Sequence, residues 1–126
     1  MEIVKTKKAP KAIGTYSQAV KTGRYVFTSG QIGLCPLSGK LIEGDFHSEA
    51  AQVFENLKNV LRASGSSVEN IVKLNIFLTN LENFKVLNEM LLIFLNNDAL
   101  PARSTIEVSR LPMNARIEID AIAELL

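Results

Sequence analysis

The segment Ile71–Leu78 constrains this chain more than any other: eight residues, apolar except at Lys73 and Asn75, lying between two stretches of helical period. A run of that length and β-branched content reads as a strand buried on both faces apart from those two positions. Before it, Ala51, Phe54, Leu57, Val60 and Leu61 recur at three- and four-residue spacing. They define one stripe of a helix beginning near Ser48, with Glu49, Glu55, Lys58 and Arg62 on the other side. Gly65 ends that helix. After the strand, Phe84, Leu87, Leu91 and Phe94 predict a second amphipathic helix, capped by Asn80 or Asn83 and finished before Pro101.

The flanks are β-like. Residues 24–29, β-branched and aromatic between Gly23 and Gly30, read as a strand. A turn over residues 36–39 follows residues 31–34, and residues 40–42 are expected to continue as a short edge strand. Beyond Pro101, residues 104–108 and 117–122 read as strands around a turn at residues 111–114. Side chains repeat every two residues in a strand, so Glu118, Asp120 and Ile122 share a face. The expected architecture is one α+β domain over residues 1–126, a mixed sheet with two helices packed on one face. Solvent or another subunit must cover the other face.

Composition narrows the function classes. Fourteen Lys+Arg against thirteen Asp+Glu leave a formal charge of +1, without the basic excess that captures nucleic acid or anionic membrane. A nucleic-acid partner is therefore not expected. The single Cys35 cannot form an intramolecular disulfide. With the single His47 it also rules out a His- or Cys-rich zinc site, and zinc on Cys35, His47 and a carboxylate fits no known ligand spacing. Residues 1–8 lack the apolar core of a secretory signal. The longest apolar run, residues 90–95, falls far short of the ~20 residues of a membrane span. A cytoplasmic protein that makes no use of a membrane is expected.

Familiar catalytic constellations are missing. Neither Cys35 nor His47 has a supporting nucleophile motif, and Gly30-Gln31-Ile32-Gly33 matches neither a P-loop nor a dinucleotide fingerprint. What remains is Arg103, after Pro101 and at the mouth of a strand, where a planar guanidinium can grip a carboxylate through two parallel hydrogen bonds. Glu118, expected in the same β-pair, offers a carboxylate able to orient water or exchange a proton. Each alone also fits a solvated surface charge.

Their company is distinctive. Ile13-Gly14-Thr15-Tyr16-Ser17-Gln18-Ala19, Thr28-Ser29-Gly30-Gln31, Val86-Leu87-Asn88-Glu89 and Pro101-Ala102-Arg103-Ser104, followed by Ile117-Glu118-Ile119, resemble in order and spacing the Rid family of reactive intermediate deaminases. The resemblance runs from about Lys8 to Ala123. It implies a chorismate-mutase-like fold and a homotrimer with clefts between neighbouring subunits. It also implies hydrolysis of short 2-imino acids and their enamine tautomers, such as 2-iminobutyrate and 2-aminoacrylate, to 2-oxo acids and ammonia. Neither metal nor organic cofactor is implied, and the role is control of metabolite damage.

Carried over by position, Arg103 binds the substrate carboxylate, Glu118 positions or activates water, and Tyr16, Ser29 and Asn88 line the cleft. Gly30 serves a backbone need, either close approach or positive φ. Thr105 replaces a common family cysteine, leaving its backbone to contact water or substrate, and Thr15 replaces the usual proline before Tyr16. The second helix is apolar all round over residues 90–95, and an outward Leu92 or Ile93 offers a surface for a further partner. An iminium carbon is already electrophilic, so a site without histidine or cysteine is chemically adequate. Two other readings are a non-catalytic 2-oxo-acid-binding or holdase-like module and a ribonuclease. Near-neutral charge and the absence of a histidine pair argue against the ribonuclease.

Overall fold

The computed structural model describes residues 1–96 and 98–126. Its strands are β1 (Glu2–Val4), β2 (Ala19–Thr22), β3 (Tyr25–Thr28), β4 (Ile71–Leu78), β5 (Ala102–Glu107) and β6 (Ile117–Glu124). Helix α1 (Phe46–Ala63) precedes β4, and α2 (Phe84–Leu95) follows it. They build one sheet in the order β1-β2-β3-β6-β4-β5. β4 and β5 run parallel, joined by α2 as the crossover, and every other pair is antiparallel. This is the expected mixed α+β sheet. Among the described residues, no helix is long and apolar enough to cross a membrane.

Both helices cover one face. Leu74, Ile76 and Leu78 of β4 and Ile117, Ile119 and Ala121 of β6 share a core with residues of α1 and α2, including Val53, Leu57, Leu87 and Leu91. Stacking of Phe54 on Phe94, with centroids 4.7 Å apart, joins the two helices. The other face has no such cover: Asn75 and Phe77 are only half-buried, and Val72 is exposed where the β4–β6 register shifts. The expectation that β4 is buried on both faces therefore fails within one chain, since the helices lie on one side only.

Helix α1 begins two residues before Ser48, because Asp45 caps it by accepting the Ser48 N–H at 2.9 Å. Its rotation differs from the apolar-stripe reading. Ala51 is exposed, whereas Glu49, expected outside, is 1% exposed. The Glu49 carboxylate accepts the Arg116 backbone N–H at 2.6 Å and its Nε–H at 2.8 Å, while Arg116 Nη2 donates to the Gly44 carbonyl at 2.8 Å. About two turns further along, buried Asn56 donates from Nδ2 to the carbonyls of Ile32 and Leu34. Two polar side chains on the buried edge of α1 thus anchor the loop before it.

That loop is not a strand. Residues 40–42 make a single bridge, Leu34 to Leu41. Ile32, Leu34 and Leu41 instead pack with Ala115 and Leu111 in a small satellite cluster, so their apolar character is used outside the sheet. At α2, Asn80 caps the preceding 3-10 turn by accepting the Glu82 N–H at 2.9 Å. Asn83 directly precedes the helix without a side-chain cap. β5 starts at Ala102, two residues earlier than expected, so Arg103 is its second residue and stands at the mouth of the strand.

Candidate active site

Glu118, Tyr16, Ser29 and Gly30 come together around a cavity of about 380 Å³ that Asp120, Gln31 and Met113 also line. β6 carries Glu118 and Asp120 on its helix-free face, and the 29–31 segment lies across them through the Gln31–Ile119 bridge. Gly30 is required by close approach, because a β-carbon there would stand 2.6 Å from Glu118 Oε2. Positive φ is not the reason. Burial pushes the Glu118 carboxyl above the ordinary carboxylate range, and the neighbouring Asp120 charge adds to the effect. Asn75 donates to Asp120 Oδ1 at 2.8 Å, which holds that second carboxylate beside the first.

Tyr16 and Ser29 are partly committed locally. The Ile13 N–H donates to the Tyr16 hydroxyl at 3.3 Å, closing the 13–16 loop onto its own ring. The Ser29 hydroxyl donates to the Ser17 carbonyl at 2.5 Å, leaving its oxygen able to accept from a ligand. Asp120, Asn75 and Gln31 were not singled out from the sequence as site residues. For Asp120 the signal was present, since strand parity already placed it beside Glu118.

Arg103 and Asn88 lie elsewhere. Arg103 Nη1 donates to Asn88 Oδ1 at 2.6 Å, and the guanidinium sits 5.3 Å from the Phe84 ring centroid. One hydrogen bond and one aromatic face thus orient a five-donor fork at the rim of a second cavity, about 290 Å³ in volume. Thr105, two residues on, has a buried Oγ1 with no hydrogen-bond partner among the described residues.

Register separates the two groups. Leu74 pairs with both Arg103 and Ala121, so Arg103 points to the helix side; Phe77 pairs with Glu118, on the opposite side. β5 and β6 are not the expected pair either, because β4 lies between them and spaces them by about 10 Å. Within one chain, Arg103 and Glu118 therefore lie on opposite faces of the sheet, two strands apart. Among the described residues, no group of three His, Cys, Asp or Glu side chains could hold a metal ion.

Comparison with known proteins agrees in fold and sequence. The profile of the family described as Endoribonuclease L-PSP matches residues 6–125. A mouse (Mus musculus) protein named 2-iminobutanoate/2-iminopropanoate deaminase is 42% identical over 122 residues, covering 97% of this chain and 90% of that protein. The crystal structure of RidA from an Antarctic Psychrobacter has a TM-score of 0.95 at 44% identity, covering 99% of this chain and 100% of that one. That of Escherichia coli TdcF with bound serine has a TM-score of 0.94 at 41% identity, with full coverage of both chains.

Proposed function

The chain belongs to the L-PSP family that includes the Rid deaminases, and on that premise we propose that it hydrolyses short 2-imino acids and their enamine tautomers to 2-oxo acids and ammonia. The carrying observation is the pair of half-sites: an oriented guanidinium at Arg103, and at Glu118 a half-buried carboxyl held above its ordinary range. Relatives named as 2-iminobutanoate/2-iminopropanoate deaminases support the same chemistry.

Each residue has a defined task. Arg103 takes the substrate carboxylate through parallel charge-assisted hydrogen bonds, with Asn88 and Phe84 fixing the plane of the fork. Glu118 accepts a proton from a water as the water oxygen bonds to the iminium carbon. A carboxyl with a raised pKa is a stronger base for that step than an ordinary glutamate. The resulting carbinolamine receives that proton on nitrogen, the C–N bond breaks to release ammonia, and the carbinol hydroxyl gives its proton to Glu118 as the carbonyl forms. For an enamine, protonated Glu118 supplies the proton that converts the terminal carbon to the imine. Holding the reactants together accounts for several kcal/mol of the barrier, so a strong nucleophile is unnecessary.

On this reading each cleft is shared by two copies, Arg103 from one and Glu118 from another, which the opposed faces favour. β5 is an exposed edge strand and the Glu118 face is uncovered, so both surfaces are free to meet in a homotrimer of inward-facing sheets. Light scattering should give a mass near three times 13.9 kDa. The activity test generates 2-aminoacrylate or 2-iminobutyrate in situ and follows its disappearance. Wild-type protein accelerates the loss, and Arg103→Ala removes the acceleration. Co-assembling Arg103→Ala with Glu118→Gln restores part of it, because some clefts then receive both intact groups. No acceleration by the wild type refutes the activity, and no restoration in mixed assemblies refutes the shared cleft.

A further inference from the structure

The second cavity, beside Arg103, has a composition that the small imines do not use. Its floor is Leu74, Leu91 and Leu95, all buried core residues, and its walls are Leu92, Leu100 and Pro101. Leu92 is 64% exposed and Leu100 59% exposed, an uncommon outlay of leucine on either side of a cationic group. Asn88 and Arg103 are the polar lining, and they are already bonded to each other. An apolar hollow with one carboxylate-binding group at its rim fits an amphiphile with an anionic head and a hydrocarbon tail.

We infer that this groove is a side-chain subsite selecting 2-imino acids with branched or long apolar side chains over those with one- and two-carbon side chains. The inference rests on the imine reading given above and deepens it. With the carboxylate on Arg103, the α-carbon stands at the rim and its substituent has the leucine-lined hollow within reach. A methyl or methylene group is close to a water in size, ~30 Å³. A methyl or ethyl substituent therefore leaves most of the roughly 290 Å³ unfilled. An isobutyl, thioether or benzyl group occupies far more of it. Each methylene buried in such a site is worth about fourfold, from ~0.8 kcal/mol per group. Because the groove is open on one side, the three extra carbons of a leucine-derived imine are expected to add at least tenfold in kcat/KM over the alanine-derived one.

The test compares imines generated in situ by an amino-acid oxidase from alanine, leucine, methionine and phenylalanine. It is run alongside calorimetric binding of the matching 2-oxo acids, which does not depend on turnover. The expected result is a rise of tenfold or more in kcat/KM from the alanine to the leucine imine, and tighter binding of 4-methyl-2-oxopentanoate than of pyruvate. Leu92→Glu and Leu100→Glu, both at exposed positions, should each lower the leucine-to-alanine ratio about tenfold by placing charge in the groove. Equal or falling kcat/KM with chain length, or a ratio unmoved by both variants, overturns the subsite. Preferential binding of the larger 2-oxo acid without any imine hydrolysis keeps the subsite and refutes the deaminase reading. Equal binding of both acids without hydrolysis refutes both.

Discussion

Gly30→Ala separates the position of the Glu118 carboxylate from the stability of the fold. The new β-carbon would lie 2.6 Å from Glu118 Oε2, 2.7 Å from Cδ and 3.0 Å from Cγ. Non-bonded heavy atoms settle at ~3.5 Å, so the carboxylate must retreat by about 0.9 Å. The obstacle is the end of a rotatable side chain, and position 30 has no positive φ, so alanine meets no backbone penalty. A displaced Glu118 rotamer costs about 0.5–1.5 kcal/mol, which the lower unfolded-state entropy of alanine offsets by about 0.4–1 kcal/mol. Stability should hardly change. Activity should change greatly, because a misplacement of ~1 Å at the reacting centre costs about 100-fold. That is about 2.7 kcal/mol at 1.36 kcal/mol per tenfold. The assay pairs steady-state imine hydrolysis with thermal melting. The expected outcome is kcat down about 100-fold with KM near wild type, since Arg103 keeps its grip, and Tm almost unmoved. Wild-type kcat in a folded variant would show that Glu118 does not act on water. A collapse in Tm would refute the packing argument.

Two other perturbations follow from the same structure. Asp120→Asn removes the charge that helps raise the Glu118 pKa while leaving an acceptor for Asn75, so the acid limb of the kcat/KM profile moves to lower pH. Because the folded-state value lies above the unfolded one, Glu118 makes stability change with pH only between the ordinary and raised values. Stability falls as pH rises through that window, is unaffected below it, and stays lowered above it. The variant narrows the window; urea titrations at a series of pH values and an unmoved acid limb are the respective checks. Glu49→Ala breaks the buried pair with Arg116, which costs about 3–5 kcal/mol when both partners are enclosed. Since the Arg116 side chain is 39% exposed and can rehydrate, about 2–3 kcal/mol is expected. Urea denaturation reads the loss directly, and a change within ~0.5 kcal/mol, the range of an ordinary surface substitution, would show that the anchor is dispensable.

Local chemistry explains which elements could be recognised without coordinates. β4 is present at Ile71–Leu78 as expected because a run of eight residues, six of them apolar, between helical periods admits little else. β3 and the body of α1 follow for similar reasons. β1 (Glu-Ile-Val) and β2 (Ala-Val-Lys-Thr) are no longer than β3 and lack its aromatic residues and its two bounding glycines, so nothing local marks them. Residues 40–42 show the converse: apolar side chains there are satisfied by Ala115 and Leu111, segments far along the chain, so their pattern imitates a strand. The charge of Glu49 predicts an exposed position, yet it is buried because its partner Arg116, just before β6, lies sixty-seven positions away and no local pattern announces it.

Residue order alone supplies the kinds of groups available: one guanidinium in a distinctive motif, one glutamate sharing a strand face with Asp120, and a glycine in a neighbouring motif. These are properties of residue type and strand parity. It takes the folded sheet to put Arg103 and Glu118 on opposite sides, to set β4 between their strands, and to gather five leucines and a proline into a hollow next to the arginine. Strand order and register arise from hydrogen bonding and packing between segments distant in sequence, and no local period encodes them.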